Sequence, residues 1–437
     1  MSSSPKIIVL DDDPTGSQTV HSCLLLMRWD VETLRLGLRD DVDIFFVLTN
    51  TRALAPEAVR QVMVEVCQNL KLALAAEHQT HFLIVSRSDS TLRGHYPLET
   101  DIIAQHLGPF DAHFLIPAFL EGGRITRQST HYLMVAGTPT PVHQTEFAQD
   151  SVFGYSYSYL PAYVAEKTQG RITAAQVERF TLENLRAGSG QRLLALTGNQ
   201  CAVVDGETQA DLDQFAQDLL GATAQGKRFL LRSAASILTS LAHLGPQPLP
   251  PEAMARSKNG DRPGVVVVGS HVRKTTAQLE QLLQEPHTQA IEIEVERLRK
   301  EPNSFQELKE SALAQIYQSF EAGQTPVVYT SRQELTFANI TQRLAFGTQV
   351  SQLLMALVQE LPPQISYLIS KGGITSNDVL STGLGLRSAR LLGQVLPGVS
   401  VVRTDADHPR FPHLPVVLFP GNVGDDQALA EVHRRFA

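Results

Sequence analysis

Short apolar runs recur along this chain, each closed at once by small, acidic or hydroxylated residues. In the first half they lie at Ile7 to Leu10, Cys23 to Met27, Asp43 to Thr49, His81 to Ser86 and Ala112 to Ile116. Runs of this length suit buried strands and are too short for helices. Between them, Ala55 to Ala76 sets Val59, Val62, Met63, Val66, Leu70 and Leu74 on one helical stripe. Strands alternating with helices predict an α/β fold with mostly parallel sheets flanked by helices. Ligands of such sheets bind at the carboxyl ends of the strands, so the residues that close each run carry the chemistry.

The first run closes with Asp11-Asp12-Asp13-Pro14-Thr15-Gly16. Three like charges crowded at a strand end suit a metal ion, a cationic partner or a proton to be moved. A solvated turn with Asp capping the next element would use the same residues. Two chemistries compete for the stretch. Asp11-x-Asp13-x-Thr15 fits the opening motif of haloacid-dehalogenase-like phosphatases, in which the first Asp is the nucleophile. Asp12-Asp13-x-Thr15-Gly16 resembles the opening of the four-carbon acid sugar kinases. The stretch alone does not choose between them.

Other strand ends add to it. Ser86-Arg-Ser-Asp-Ser-Thr-Leu-Arg-Gly94 offers a carboxylate at Asp89, hydroxyls at Ser90 and Thr91, and a guanidinium at Arg93. That mix suits a polyhydroxylated acid, because Arg pairs a carboxylate bidentately and Asp accepts from sugar hydroxyls. A capped helix start with a surface Arg has the same composition. Thr49-Asn-Thr-Arg52 and Gly122-Gly-Arg124 repeat the pattern, and the recurrence points to one cleft for an anionic ligand.

The stretch 137–168, with Pro139, Pro141 and a Tyr/Ser-rich tract, reads as an insertion or long loop over the sheet. A helix near Ala174 to Leu185, a strand Cys201 to Val204, a helix near Gln209 to Ala222 and a strand Arg228 to Leu231 follow. Two Pro- and Gly-rich tracts then mark a linker, giving domains at 1–243 and 264–437 with the linker at 244–263. The second half has apolar runs at Val265 to Val268, Ala290 to Val295, Val327 to Thr330, Ile365 to Ile369 and Pro415 to Phe419, with a long helical stripe ending at Leu361.

Gly269-Ser-His-Val-Arg-Lys-Thr-Thr276 opens a helix after a run of valines. It is not a Walker loop, because Arg273 stands where a glycine must precede the lysine. A Gly-Ser turn at a helix start still presents amide hydrogens to phosphate. Lys371-Gly-Gly-Ile-Thr-Ser-Asn377 and Gly421-Asn-Val-Gly424 follow strands in the same way, and glycines let a backbone approach phosphate closely. Three such turns in one domain favour a nucleotide.

Composition excludes several classes. A net charge of -8 without a Lys/Arg-rich run leaves no footprint for nucleic acid. Cys23, Cys67 and Cys201 are isolated, which argues against a disulfide framework and a cysteine zinc site. No apolar run approaches membrane-spanning length and the N-terminus lacks the apolar core of a signal peptide, so a cytoplasmic protein with no membrane partner is expected. No metal-ligand residues are assigned. Association with a second copy stays open.

Taken together, DDDPTG, TNTR, SRSDSTLRG and PAFLEGGR resemble the sugar-acid-binding half of the four-carbon acid sugar kinase family, and GS-x(5)-T, GGITS and PGNVG resemble its nucleotide-binding half. The run from Asp11 to Arg52 looks most like a subgroup found alone or beside an aldolase-like domain in plant fusion proteins. The resemblance implies ATP-dependent phosphorylation of a hydroxyl of an erythronate- or threonate-like acid, with Mg²⁺ arriving on ATP and the active site in the cleft between the domains. It implies Asp12 as the base or hydroxyl-orienting residue, and Arg93 at the acid, its carboxylate held with help from Arg52 or Arg124. Asp13, Thr15, Gly16, Asp89 and Ser90 would line the same acid site. Ser270, Gly372, Gly373, Ile374, Thr375, Gly421, Asn422, Val423 and Gly424 would face ATP. The chain departs from the family at Pro14, at Ile374 and at Phe419-Pro420, where a lysine is frequent. Lys371 or Lys274 is the expected replacement for that cation.

Overall fold

The computed structural model describes residues 4–135, 137–301, 304–333, 335–337 and 340–437, without the side chains of 340, 341 and 344. The chain divides into two compact units, Met1–Pro246 and Gln247–Ala437. No described helix is long and apolar enough to cross a membrane.

The first unit contains β1 (Lys6–Asp11), β2 (Leu24–Leu26), β3 (Ile44–Leu48), β4 (Phe82–Arg87) and β5 (Ala112–Ile116). After them come β6 (Arg124–Arg127), β7 (Thr130–Val135), β8 (Thr138–Pro141), β9 (Glu178–Phe180), β10 (Gln200–Val204) and β11 (Phe229–Ser233). Its main sheet runs β2-β3-β1-β4-β11-β5-β10-β9, every pair parallel. Each residue of β1 is buried, as a parallel strand covered on both faces should be. The register sets the strand ends level: Asp11 lies opposite Leu48 of β3 and Arg87 of β4, and Ser233 of β11 lies opposite Arg87 and Ile116. The helix Pro56–Ala76 covers one face through the apolar stripe read above, with Val59, Met63, Val66 and Leu70 in the core.

Two expectations for this unit change. The stretch 137–168 is not a loop laid over the sheet. Its strand β8 completes a small antiparallel sheet, β6-β7-β8, and it ends in the helix Leu160–Lys167. Val142, Tyr155, Leu160, Tyr163 and Val164 pack with Leu92 and Tyr96 into one buried cluster. Tyr155 and Tyr163 are core residues whose rings fill space and whose hydroxyls find buried partners, while Tyr157 and Tyr159 stay exposed. The second change concerns Ala174 to Leu185, which is a short 3-10 turn, the strand β9 and the helix Leu182–Ala187 rather than one helix. Capping boxes at Thr173/Gln176 and Thr181/Asn184 mark two separate starts.

The second unit contains β12 (Val265–Val268), β13 (Thr288–Ile293), β14 (Thr325–Thr330), β15 (Leu368–Lys371), β16 (Ser388–Leu396), β17 (Val399–Arg403) and β18 (Pro415–Phe419). They order as β13-β14-β12-β15-β18-β17-β16, parallel up to β18 and antiparallel beyond it. The hairpin of β16 and β17 gave no expectation from sequence, nor did the helices Val295–Lys300 and Ser304–Glu321. The long helix spans Ile340–Gln359 and stops short of Leu361. Within the stretch read as linker, residues 251–257 form a 3-10 turn, and Met254 is buried in this unit's core.

Candidate functional site

In the first unit the level strand ends gather arginines and carboxylates. Thr49 N–H extends the ladder to Asp11 O (2.9 Å), and Asn50 then turns the chain with φ 51, a conformation asparagine tolerates. The 3-10 turn Thr51–Ala53 brings Arg52 back over the acidic stretch. Its Nε donates to Asp12 Oδ2 at 3.2 Å and its Nη2 to Asp12 Oδ1, while Nη1 donates to Asp13 Oδ2 at 3.1 Å. Asp12, 2% exposed, also accepts from Ser88 Oγ at 2.8 Å. Arg232, at the end of β11, donates to Ser88 Oγ and Ser86 Oγ (2.7 Å each) and to Glu99 Oε2 (2.5 Å). Gly94 closes the loop with φ 137, and a Cβ there would land on Ser88 Oγ and the Arg232 guanidinium. Only glycine allows that approach.

Asp11 has a different environment. It is fully buried, Arg87 Nη1 lies 3.5 Å from its Oδ1, and its Oδ2 has no hydrogen-bond partner among the described residues. Burial pushes its carboxyl up to about 8 although Arg87 opposes the shift. A Cβ on Gly16 would fall on that carboxylate, so Gly16 is needed for close packing against Asp11. Asp13 shapes a turn, accepting from Thr15 N–H (2.8 Å) and Thr15 Oγ1 (2.6 Å). Burial opposes ionisation of Asp13, but Arg52 and Arg87 outweigh it and hold the carboxyl below its usual range.

Asp89 accepts from Arg93 Nε at 2.8 Å and from Thr91 Oγ1. It too lies low against burial, held there by Arg52 and Arg93. Ser90 is buried beside it. A small cavity opens among Ser88, Asp89, Arg93, Tyr96, Arg232 and Ser233. Arg124 stands apart. Arg52, Arg87, Arg93 and Arg232 each have a carboxylate within ion-pair distance. Arg124 has none among the described residues; its Nη1 reaches Gly122 O at 2.5 Å and its buried Nε has no partner. Sequence reading selected Asp12, Asp13, Thr15, Gly16, Arg52, Asp89, Ser90, Arg93 and Arg124 and passed over Arg87, Ser88, Gly94, Glu99 and Arg232. Arg87, Ser88 and Gly94 lie inside a motif already singled out. Arg232 carried the same signal, a charged residue closing an apolar strand.

In the second unit β12, β15 and β18 also end level, with Val268 opposite Lys371 and Lys371 opposite Phe419. Their turns therefore meet. A Cβ on Gly269 would strike Thr375 Oγ1, one on Gly372 (φ 125) would sit 3.0 Å from Ser270 Cβ, and one on Gly421 would sit 3.1 Å from Ser270 Oγ. Ser270, Gly372, Gly373, Thr375 and Gly421 are thus brought together, with Ile374 exposed on the same short helix. Side chains draw in the carbonyls of the last turn. Lys371 Nζ donates to Pro420 O (2.5 Å), Thr275 Oγ1 to Gly421 O (3.1 Å), Gln278 Nε2 to Val423 O (2.9 Å) and Lys274 Nζ to Gly424 O (2.9 Å). The amides of Gly421, Asn422, Val423 and Gly424 have no acceptor among the described residues. Amides without a protein acceptor at a partly exposed glycine turn are open to water or to an anion.

Both candidate replacement lysines are therefore committed to backbone. Lys371 is buried over the Phe419 ring, 4.0 Å from its centroid, directly across the strand pair from it. Burial, with Lys274 nearby, brings its ammonium down to about 7. No group of three or more His, Cys, Asp or Glu among the described residues could hold a metal ion.

Two family models cover most of the chain, one over each unit. Residues 7–241 match a family model described as a sugar-binding N-terminal domain, and residues 265–429 one described as a nucleotide-binding C-terminal domain. The chain belongs to the four-carbon acid sugar kinase family. It is 28% identical over 219 residues to a D-erythronate kinase of Heliobacterium modesticaldum (strain ATCC 51547 / Ice1), an alignment covering 48% of this chain and 47% of that protein. The chain thus spans about half the length of this curated relative. Two solved structures share the fold. One is a Salmonella typhimurium LT2 protein provisionally assigned as a tRNA synthase, 20% identical with a TM-score of 0.72 over 100% of each chain. The other is a Haemophilus influenzae protein of a family of unknown function, 16% identical with a TM-score of 0.64 over 98% of this chain and 100% of that one.

Proposed function

We propose that the protein is an ATP-dependent kinase that phosphorylates a hydroxyl of a four-carbon sugar acid such as an erythronate or threonate. The observation that carries this reading is the Arg124 guanidinium, which lies near Asp89 and Arg93 and has no carboxylate at ion-pair distance among the described residues, in a chain whose second unit leaves the Gly421–Gly424 amides without a protein acceptor among the described residues. An anionic substrate supplies what Arg124 lacks. Arg124 takes the substrate carboxylate with Arg93 beside it, and Asp12, its orientation fixed by the Arg52 fork, orients the attacking hydroxyl and accepts its proton. The Gly421–Gly424 amides and the Ser270 and Gly372 turns hold phosphate oxygens. Bound ATP supplies the phosphoryl group, with Mg²⁺ carried mostly on phosphate oxygens and water.

The dehalogenase-type phosphatase reading requires Asp11 as a nucleophile. Its full burial and upward-shifted carboxyl count against that role. A protein that binds a sugar acid without turnover would show no ADP release. A coupled ADP-release assay across four-carbon aldonates, with a phosphate-release control, tests all three. Acid-dependent ADP release without free phosphate is expected; silence across the panel refutes the kinase reading.

The same assay tests the arginine assignment. Lysine keeps the charge at Arg124 but loses the planar fork. Arg124→Lys should therefore lower kcat/KM for the acid by roughly ten- to a hundredfold. Arg93→Lys should lower it less, since Arg93 already gives its Nε to Asp89. The reverse order would return the substrate carboxylate to Arg93.

A further inference from the structure

Three side chains from one segment donate to three consecutive carbonyls of the loop Ser88–Gly94. His131 Nε2 lies 2.7 Å from Ser90 O, Tyr155 Oη 2.7 Å from Thr91 O, and Tyr163 Oη 2.8 Å from Leu92 O. None of the three donors is more than 6% exposed. The histidine tautomer follows from its neighbours. Ser90 O can only accept, so Nε2 carries the proton and Nδ1 accepts from Thr126 Oγ1 at 2.9 Å. Burial brings the His131 imidazole down to about 4, which keeps it in this neutral, singly donating form.

An extended strand points successive carbonyls in opposite directions, so three carbonyls directed at one segment require a curled backbone. Leu92 supplies the curl with φ 67, a conformation that bulky residues rarely adopt. Left to water, these carbonyls could be satisfied in many loop conformations. The tyrosines and the histidine satisfy them in one. Side chains that face the acid follow from that backbone, since Asp89 and Arg93 flank the three clamped residues. The segment also meets Arg93 directly, with Asp150 Oδ2 3.8 Å from its Nη1 and the Phe147 ring centroid 4.9 Å from its Cζ.

We infer that the packed segment from Thr126 to Tyr163 is a fixed template for the acid-binding loop, in which His131, Tyr155 and Tyr163 are positioning residues that set Asp89 and Arg93 through backbone carbonyls. This rests on the reading of that loop as part of the acid site.

Tyr155→Phe and Tyr163→Phe, singly and together, remove the donors while leaving the rings to pack against each other and against Tyr96. Tyr157→Phe, at a tyrosine 50% exposed in the same tract, is the control. Each buried hydroxyl should be worth roughly three- to tenfold in KM for D-erythronate, with kcat and ATP affinity close to the parent values. Amide exchange over residues 89–93 should quicken in the double variant while the β1, β4 and β11 amides keep their protection. Parent-like KM and exchange in the double variant would overturn the inference. So would a parallel loss of ATP affinity and strand protection, which would mark general loosening. The exchange measurement needs no turnover, so a parent protein inert toward every acid would refute the kinase reading and still leave the template tested.

Discussion

Asp12→Asn should lower turnover by at least about a hundredfold, the low end for a positioned acid–base group. The amide keeps the shape but loses the charge and one of the two acceptor oxygens, so the hydroxyl of the acid has no base to take its proton. Asp11→Asn should leave turnover nearly intact and act on stability instead. Folded Asp11 binds its proton up to about pH 8, and the unfolded group only up to about 3.8. Between those limits the native state holds the extra proton, so the stability this group contributes is full below pH 3.8 and is lost as pH rises through 8. Asparagine mimics the protonated acid and removes that slope. In urea melts, the variant should therefore gain on the parent as pH goes from about 5 to about 8. A phospho-aspartate trapped on Asp11, or the two turnover effects reversed, would overturn the kinase assignment of this stretch.

Gly421→Val should weaken ATP binding by at least about tenfold, because a branched side chain would crowd the turn whose amides are proposed to meet phosphate. The first added carbon would lie 3.1 Å from Ser270 Oγ, tight enough to shift that hydroxyl, and in contact with Val272 Cγ2 at 3.4 Å, without striking backbone. Acid binding, held within the other unit, should be unchanged. Gly372→Val should impair the same binding but also lower the melting temperature, since φ 125 is closed to valine. Titration of each variant with ATP, and separately with D-erythronate, measures both claims. Undiminished ATP affinity in Gly421→Val would remove this turn from the nucleotide site.

The sequence made the strand ends legible because a parallel strand buried on both faces is a short apolar block, and its closing residues stand out against it. That is why Asp12, Arg52, Asp89, Arg93 and Arg124 could be selected and why the three glycine turns of the second unit were visible together. Pairing was not legible. Nothing local in Arg52 or Arg93 announces that its guanidinium is occupied by Asp12 or Asp89, or that Arg124 has no carboxylate at ion-pair distance among the described residues, because a pairing is a property of the folded backbone and not of composition. The commitment of Lys274 and Lys371 to backbone carbonyls was hidden for the same reason. The Tyr/Ser tract reads as a solvated loop because Tyr157 and Tyr159 are indeed exposed, and nothing local marks Tyr155, or Tyr163 beyond the tract, as members of a packed cluster.

The ion pairs of the first unit also bear on how relatives of this chain can diverge. Arg232 pairs with Glu99, both buried, and Arg52 serves Asp12 and Asp13 together. Removing one partner of a buried pair leaves a stranded charge and costs about 3–5 kcal/mol, whereas replacing both by well-packed apolar residues is often neutral. Single steps at these positions are therefore closed to a marginally stable protein, and double steps are open. Across descendants these residues should change two at a time, each arginine with its own carboxylate. Arg124, with no such partner among the described residues, can vary alone and carry the chain toward a differently charged substrate.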